Sequence, residues 1–182
     1  MDIELRTLVR EASLRPEVHA AVQRVYRELQ DQIDLRRPQC VMSGRCCRFE
    51  EFGHRLFVTT LELAAFVAQT SQAPSTDWGG TGCPFQQGKL CGAHATRPFG
   101  CRVFFCDSSS TQWQQETYER FHGEIKRLHE KLEVPYVYLE WREALRALGL
   151  APLVHWPVKI SHSFPSPQPS PEGRGSRNIE AL

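Results

Sequence analysis

The chain has 182 residues, of which 41% are apolar and 24% charged, a composition typical of a soluble globular domain. Its formal net charge of +1 comes from 22 basic and 21 acidic residues. This near-neutral charge argues against nucleic acid or an anionic membrane as the partner. Two acids in the first six residues and the lack of a long apolar run are not the pattern of a signal peptide or a membrane helix, and we expect neither. We therefore expect a cytoplasmic protein.

The first part of the chain predicts two helices. From Pro16 to Arg36, apolar residues recur every three or four positions, which places them on one face of an amphipathic helix: Val18, Val22, Val25, Leu29 and Ile33. Proline suits the first turn of a helix because the amide there needs no partner. A shorter helix is predicted before it, between Ile3 and Ala12.

The middle of the chain predicts a short strand followed by a helix. The strand covers Arg55 to Thr60, and Thr59 with Glu62 has the spacing of a capping box that opens a helix through about Gln69. The loop after it contains the run Gly79 to Gly82. We interpret that run as a connection rather than a phosphate-binding loop, because no lysine and no helix follow directly.

Two further helices precede a proline-rich tail. One is predicted from Gln112 to Leu132 and the other up to about Leu148, where Gly149 is placed to cap it. Residues 151–182 hold many prolines and serines, and we expect this tail to be disordered, with a proline-rich ligand as the alternative. The predicted fold is a small α+β domain over residues 1–150, mainly helical, in which amphipathic helices flank an irregular, metal-organised module.

The strongest signal in the sequence is the clustering of its cysteines. All seven lie between residues 40 and 106: Cys40, Cys46, Cys47, Cys83, Cys91, Cys101 and Cys106. In a reducing compartment, clustered cysteines indicate metal ligands or redox groups rather than structural disulfides. Thiolates are soft donors that suit zinc and iron–sulfur clusters, and four of them from separate loops can close one tetrahedral site.

The spacing alone does not say which four cysteines would be ligands, or whether there is one site or two. Neighbouring side chains point to opposite faces of an extended segment, so Cys46 and Cys47 would not serve one metal unless the chain turns there. We expect Cys83, Cys91, Cys101 and Cys106 to be the least replaceable. The remaining thiols could leave an open coordination position or pack as small apolar groups.

The residues that flank the cysteines form distinctive sequence motifs. It reads Gly44-Arg45-Cys46-Cys47-Arg48, then Cys83-Pro84-Phe85, then Cys91, and finally Arg97-Pro98-Phe99-Gly100-Cys101-Arg102 followed by Cys106. This ordered set resembles the YkgJ-like family, whose cysteine-cluster domain chelates zinc or iron and which includes flagellin lysine N-methylases. The family motif opens Cys-x-x-Cys-x-x-Cys-Cys, and Ser43 stands at the position of its second cysteine.

Other residues near the cysteines carry weaker expectations. Arginines among them could offset the negative charge of a thiolate site: Arg45, Arg48, Arg97 and Arg102. The motifs of the YkgJ-like family include Arg97 and Arg102, so we favour these two for this role. His94 is the one histidine close enough in sequence to complete a second site. Aromatic side chains are expected to shield the site from water: Phe99, Phe104 and Phe105.

The resulting hypothesis is a metal-binding protein whose cysteine-ligated site is structural or carries electrons. Seven thiols and nearby aromatic residues favour an iron–sulfur cluster slightly over zinc. The resemblance implies a metal-dependent enzyme, such as a protein lysine N-methylase, as the alternative, although no glycine-rich nucleotide-binding turn occurs. A zinc-organised module that binds nucleic acid or protein ranks third. Whether the protein is an enzyme, and which protein is its substrate or partner, stays open.

Overall fold

The structure is a computed structural model, and it describes residues 2–70, 74–75 and 78–150. The predicted disordered tail, residues 151–182, lies outside these residues. Seven α-helices occur in the described part of the chain: α1 (Asp2–Ser13), α2 (Pro16–Arg36), α3 (Phe49–Phe52), α4 (Thr60–Gln69), α5 (Phe99–Val103), α6 (Thr111–Lys131) and α7 (Trp141–Ala147). Two 3₁₀ turns and four short strands join them: Arg45–Cys47 and Ser108–Ser110, then β1 (Phe57–Thr59), β2 (Gln86–Gln87), β3 (Leu90–Cys91) and β4 (Tyr138–Glu140).

Helix α4 lies at the centre of the molecule because it is apolar on nearly all sides, the pattern of a buried helix. The predicted capping box is formed: the Thr59 hydroxyl accepts from the backbone N–H of Glu62, and the Glu62 carboxylate accepts from the backbone N–H of Thr59. One side of α4, including Leu61, belongs to a core shared with α2, α5 and α6. The other side, including Phe66, belongs to a second core shared with α1 and α7.

The surrounding helices form as their periodicity predicts. Helix α2 begins at Pro16 and ends at Arg36, and the apolar residues predicted to share a face are all buried. Helix α6 starts one residue before the predicted boundary and ends at Lys131. Gly149 follows α7 with φ of 72°, the left-handed conformation that ends a helix. The mainly helical fold is therefore confirmed.

Two small antiparallel sheets complete the fold. Strand β1 pairs with β4, with Val58 opposite Leu139, and β2 pairs with β3, with Gln86 opposite Cys91. The predicted strand at 55–60 is confirmed, while its partner β4 and the β2–β3 hairpin were not predicted. Within the described ranges, no helix is both long and apolar enough to cross a membrane.

Candidate metal centre

The first pair of neighbouring cysteines lies in a tight turn rather than in an extended segment. Gly44, with φ of 73°, precedes the 3₁₀ turn Arg45–Cys47, and the backbone N–H of Cys47 donates to the carbonyl oxygen of Gly44 at 3.1 Å. Because the backbone turns here, the two side chains do not diverge as they would in a strand. The thiols of Cys46 and Cys47 interact with each other. The argument that these two could not serve one site therefore does not hold in this fold.

A close backbone contact brings Cys83 to this turn. The backbone N–H of Cys83 donates to the carbonyl oxygen of Cys47 at 2.7 Å. A Cβ atom at Gly82 would lie 2.7 Å from that same oxygen, so a side chain there would push the two segments apart. Gly82 also has φ of 65°, and its N–H donates to the Glu50 carboxylate at 2.7 Å. Glycine at this position is what lets the loop of Cys83 approach Cys47.

The other two cysteines near this point come from the hairpin and from α5. After Cys83 the chain turns through a hydrogen bond from the Gln86 N–H to the Cys83 carbonyl at 3.1 Å, and β3 then presents Cys91 opposite Gln86. Pro98 precedes α5, and the Cys101 N–H donates to the Pro98 carbonyl at 3.1 Å. We refer to the convergent set as the thiol cluster: Cys46, Cys47, Cys83, Cys91 and Cys101.

The thiols of this cluster perturb one another strongly. The Cys47 thiol interacts with those of Cys46, Cys83 and Cys91, and it can donate its proton to any of the three. This hydrogen bond lowers the pKa of Cys46 to about 6 and that of Cys91 to about 7, and it also lowers the pKa of Cys83. The same contacts raise the pKa of Cys47. The lowered pKa values favour the thiolate forms of Cys46, Cys83 and Cys91, while Cys47 favours the thiol form.

Cys101 lies at the edge of this arrangement and behaves differently. Burial raises the pKa of the Cys101 thiol, and the negative charges that Cys83 and Cys91 acquire raise it further. A hydrogen bond from Cys47 lowers the pKa of Cys46, Cys83 and Cys91, but no such bond offsets the effect of burial on Cys101. Cys101 is thus a neighbour of the four interacting thiols rather than a member of their hydrogen-bonded set.

Two buried donors face the thiol cluster. The positive charge of Arg97 lowers the pKa of Cys46, Cys91 and Cys101, and its buried Nε atom has no hydrogen-bond partner among the described residues. The indole N–H of Trp141 is also buried, with no well-aligned hydrogen-bond acceptor among the described residues. Its interaction with Cys83 lowers the pKa of that thiol. Both donors would gain from a thiolate acceptor.

The remaining two cysteines are not among the thiols that interact with Cys47. Cys40 is exposed, and the half-buried Cys106 has its sulfur 3.9 Å from the Ser43 hydroxyl. The role of Cys106 as a ligand together with Cys83, Cys91 and Cys101 stays a prediction. Sulfur is free in all seven cysteines, and none of them is disulfide-bonded.

Several other expectations meet different outcomes. Arg97 faces the thiols as predicted, whereas Arg102 packs its guanidinium 4.3 Å from the Tyr26 ring centre and donates to the carbonyl oxygens of Ala95 and Arg97. His94 is exposed, and the lowering of its pKa comes from the charge of Arg97, from partial burial of the ring and from the charge of Arg102. Arg102 therefore holds the loop, and His94 does not join the thiol cluster.

The aromatic shield consists of different residues from those predicted. Phe99 packs into the core with Tyr118 and Phe121, and Phe105 lies against Trp113. Phe104 is 37% exposed and stacks on His54. The aromatic side chains that share a core with the cysteines are instead Phe49, Phe66, Phe85 and Trp141. Of these four, only Phe85 could have been connected with the cysteines from the sequence, because it follows Cys83-Pro84 directly.

As the side chains are placed, the described residues contain no group of three or more His, Cys, Asp or Glu side chains arranged to hold a metal ion. The chemistry of the donors nevertheless fits a thiophilic metal: four thiols interact around Cys47, and two buried donors face them. Comparison with known proteins gives no match to a family model, a curated protein or a solved structure. The resemblance to the YkgJ-like family therefore depends on its motifs alone.

Proposed function

We propose that this protein binds zinc or an iron–sulfur cluster through Cys46, Cys47, Cys83 and Cys91, with Cys101 as an adjacent thiol. The observation that supports this proposal most directly is the hydrogen bond from the Cys83 N–H to the Cys47 carbonyl at 2.7 Å, which brings the loop after Gly82 to the turn that holds Cys46 and Cys47. These four residues come from the 3₁₀ turn, the loop after Gly82 and strand β3, so one ion or cluster would tie three separate segments together.

The cysteines and the side chains around them would have different roles in such a site. The four sulfur atoms would supply the ligands after their thiols turn toward a common centre and lose their protons. Arg97 and the Trp141 indole would stabilise the thiolates by charge and by hydrogen bonding. Phe49 and Phe85 pack beside the buried cysteines and exclude water from them. The bound group would cross-link the loops in the structural case, or transfer single electrons in the iron–sulfur case.

The experiment is elemental analysis and absorbance spectroscopy of protein purified without air, compared across single Cys→Ser variants. We expect Cys47→Ser and Cys83→Ser to lose most of the bound zinc or iron, because each removes a soft donor from the interacting set. Cys40→Ser is the matched control, since Cys40 is exposed. It should retain wild-type metal content.

Two results would contradict the proposal. Wild-type protein that is folded, fully reduced and free of metal would remove its basis. Equal metal content in Cys47→Ser and Cys40→Ser would show that the bound metal does not depend on the thiol cluster. Visible absorbance from sulfur-to-iron charge transfer, present in wild type and lost with the ligands, would favour the iron–sulfur form over zinc.

A further inference from the structure

The two cysteines outside the thiol cluster lie on segments that run side by side. Three contacts join these segments: Arg36 Nη2 donates to the Ser109 carbonyl at 2.8 Å, the Gln39 N–H donates to the Asp107 carboxylate at 3.1 Å, and the Ser43 hydroxyl contacts the Cys106 sulfur at 3.9 Å. Residue numbers rise along the first segment as they fall along the second. The two segments are therefore antiparallel.

This alignment places Cys40 and Cys106 next to residues that contact each other across the two segments. Cys40 follows Gln39, which is bonded to Asp107, and precedes Ser43, which touches Cys106. Cys40 and Cys106 each adjoin one member of the bonded pair Gln39 and Asp107, which favours the Cα separation of about 4.4–6.8 Å that a disulfide requires. Asp107 is itself fixed by bonds from Ser109 and Ser110. The contact between the segments therefore does not depend on a single weak interaction.

We propose that Cys40 and Cys106 form a reversible disulfide, with a small-molecule disulfide such as oxidised glutathione as the oxidant. The exposed Cys40, as its thiolate, attacks one sulfur of oxidised glutathione and forms a mixed disulfide, and one glutathione thiolate leaves. The Cys106 thiolate then attacks the Cys40 sulfur and releases the second glutathione. The two cysteines lose two protons and two electrons, and two reduced glutathione molecules carry them away.

The bond would act on the chain that leads into and out of the thiol cluster. Cys40 precedes the 3₁₀ turn that carries Cys46 and Cys47, and Cys106 follows α5, which carries Cys101. A covalent link between these flanking segments would hold them together, and its reduction would leave only the three noncovalent contacts. The pair therefore makes the closure of this end of the molecule sensitive to the thiol–disulfide balance of its surroundings.

The test is peptide mapping of protein that has been reduced, freed of reductant without air, and then treated with oxidised glutathione. Remaining thiols are alkylated before trypsin digestion. Trypsin releases Cys40 in residues 37–45 and Cys106 in residues 103–120, and neither peptide contains another cysteine. We expect these two peptides to be recovered joined by a disulfide, and alkylation of both cysteines to fall severalfold.

A variant supplies the second measurement. In Cys106→Ser, the resolving thiol is absent, so Cys40 should retain glutathione as a stable mixed disulfide. Ser43→Ala keeps both cysteines and should still form the link. Recovery of residues 37–45 in wild type as an alkylated peptide, with glutathione attached, or joined to a cysteine of the thiol cluster would overturn the proposal. None of these results depends on whether the thiol cluster binds metal.

Discussion

The close approach of Gly82 to Cys47 makes a sharp prediction about what assembles the thiol cluster. An alanine Cβ at position 82 would lie 2.7 Å from the Cys47 carbonyl oxygen, a backbone atom that cannot move alone. Gly53 offers a matched control because its φ is the same +65° and nothing lies within 4 Å of its Cβ position. Gly53→Ala and Gly82→Ala thus share the strain of an alanine in the left-handed conformation, and only Gly82→Ala adds a clash with the Cys47 carbonyl oxygen.

The expected magnitudes follow from these two effects. A left-handed residue with a side chain costs about 1–2 kcal/mol, and both variants include this cost. Gly82→Ala adds about 1–3 kcal/mol of overpacking and weakens the hydrogen bond from Cys83 to Cys47, which contributes about 1 kcal/mol. We therefore expect Gly82→Ala to be destabilised by about 3 kcal/mol or more, roughly three times the loss in Gly53→Ala.

Urea unfolding of reduced, chelator-treated protein measures the free energy of unfolding without a contribution from metal. Metal content is then measured on separate samples purified without air. Gly82→Ala should lose metal because Cys83 moves away from Cys47, whereas Gly53→Ala should retain it. Equal unfolding free energies and equal metal content in the two variants would refute the reasoning, since the approach of these loops would then have no energetic consequence.

Four further predictions concern single features of the chain. Burial raises the pKa of Glu62 to about 7, above an unfolded value of about 4.3, so its contribution to stability is complete below about pH 4 and falls by about 4 kcal/mol as the pH rises from there through 7. In urea unfolding at several pH values, Glu62→Gln should flatten this part of the profile, and an unchanged slope would contradict the assignment. Arg97→Gln should lower retained metal in elemental analysis while Arg97→Lys retains more, because the lysine keeps the charge; equal loss in both would argue against an electrostatic role. Ser43→Cys places a thiol next to Cys106 at the position of the second cysteine of the YkgJ-like motif and should raise metal per chain; unchanged metal content would show that position 43 is not a vacated ligand position. Deletion from Ser163 onward should leave the melting temperature and metal content unchanged, and a clear drop in either would show that the tail contributes to the fold.

Local sequence patterns were sufficient for most helices. The apolar period of α2 and the proline at its start set its boundaries at Pro16 and Arg36. The Thr59–Glu62 capping box was identifiable because both partners lie within one helical turn and meet whenever the helix forms. Helix α6 followed from the same apolar period. These features depend on residues close together in the chain, so a pattern in the sequence is enough to predict them.

Elements that depend on distant partners were not identifiable in this way. Strand β4 contains few residues and acquires its conformation by pairing with β1, some eighty positions earlier. The β2–β3 hairpin is shorter still, with two residues in each strand. A run this short has no periodicity of its own, and tertiary contact decides its structure.

The same division applies to the cysteines. Their clustering along the chain and the accompanying Gly, Pro and Arg residues were visible in the sequence and predicted a thiolate site. Which thiols meet was decided by the tertiary structure: the turn at Arg45–Cys47 places neighbouring side chains together, and Gly82 admits Cys83 to the same point. The sequence left the ligand set open, and the chain leaves α5 in a direction that takes Cys106 to Ser43.

Trp141 shows most clearly why the sequence could not define the whole site. It lies far from every cysteine in the chain, and it reaches Cys83 only because β4 pairs with β1 and directs α7 into the core beneath the cysteines. A hydrogen bond depends on the separation of two groups in space, and the sequence encodes that separation only through the packing of every element between them.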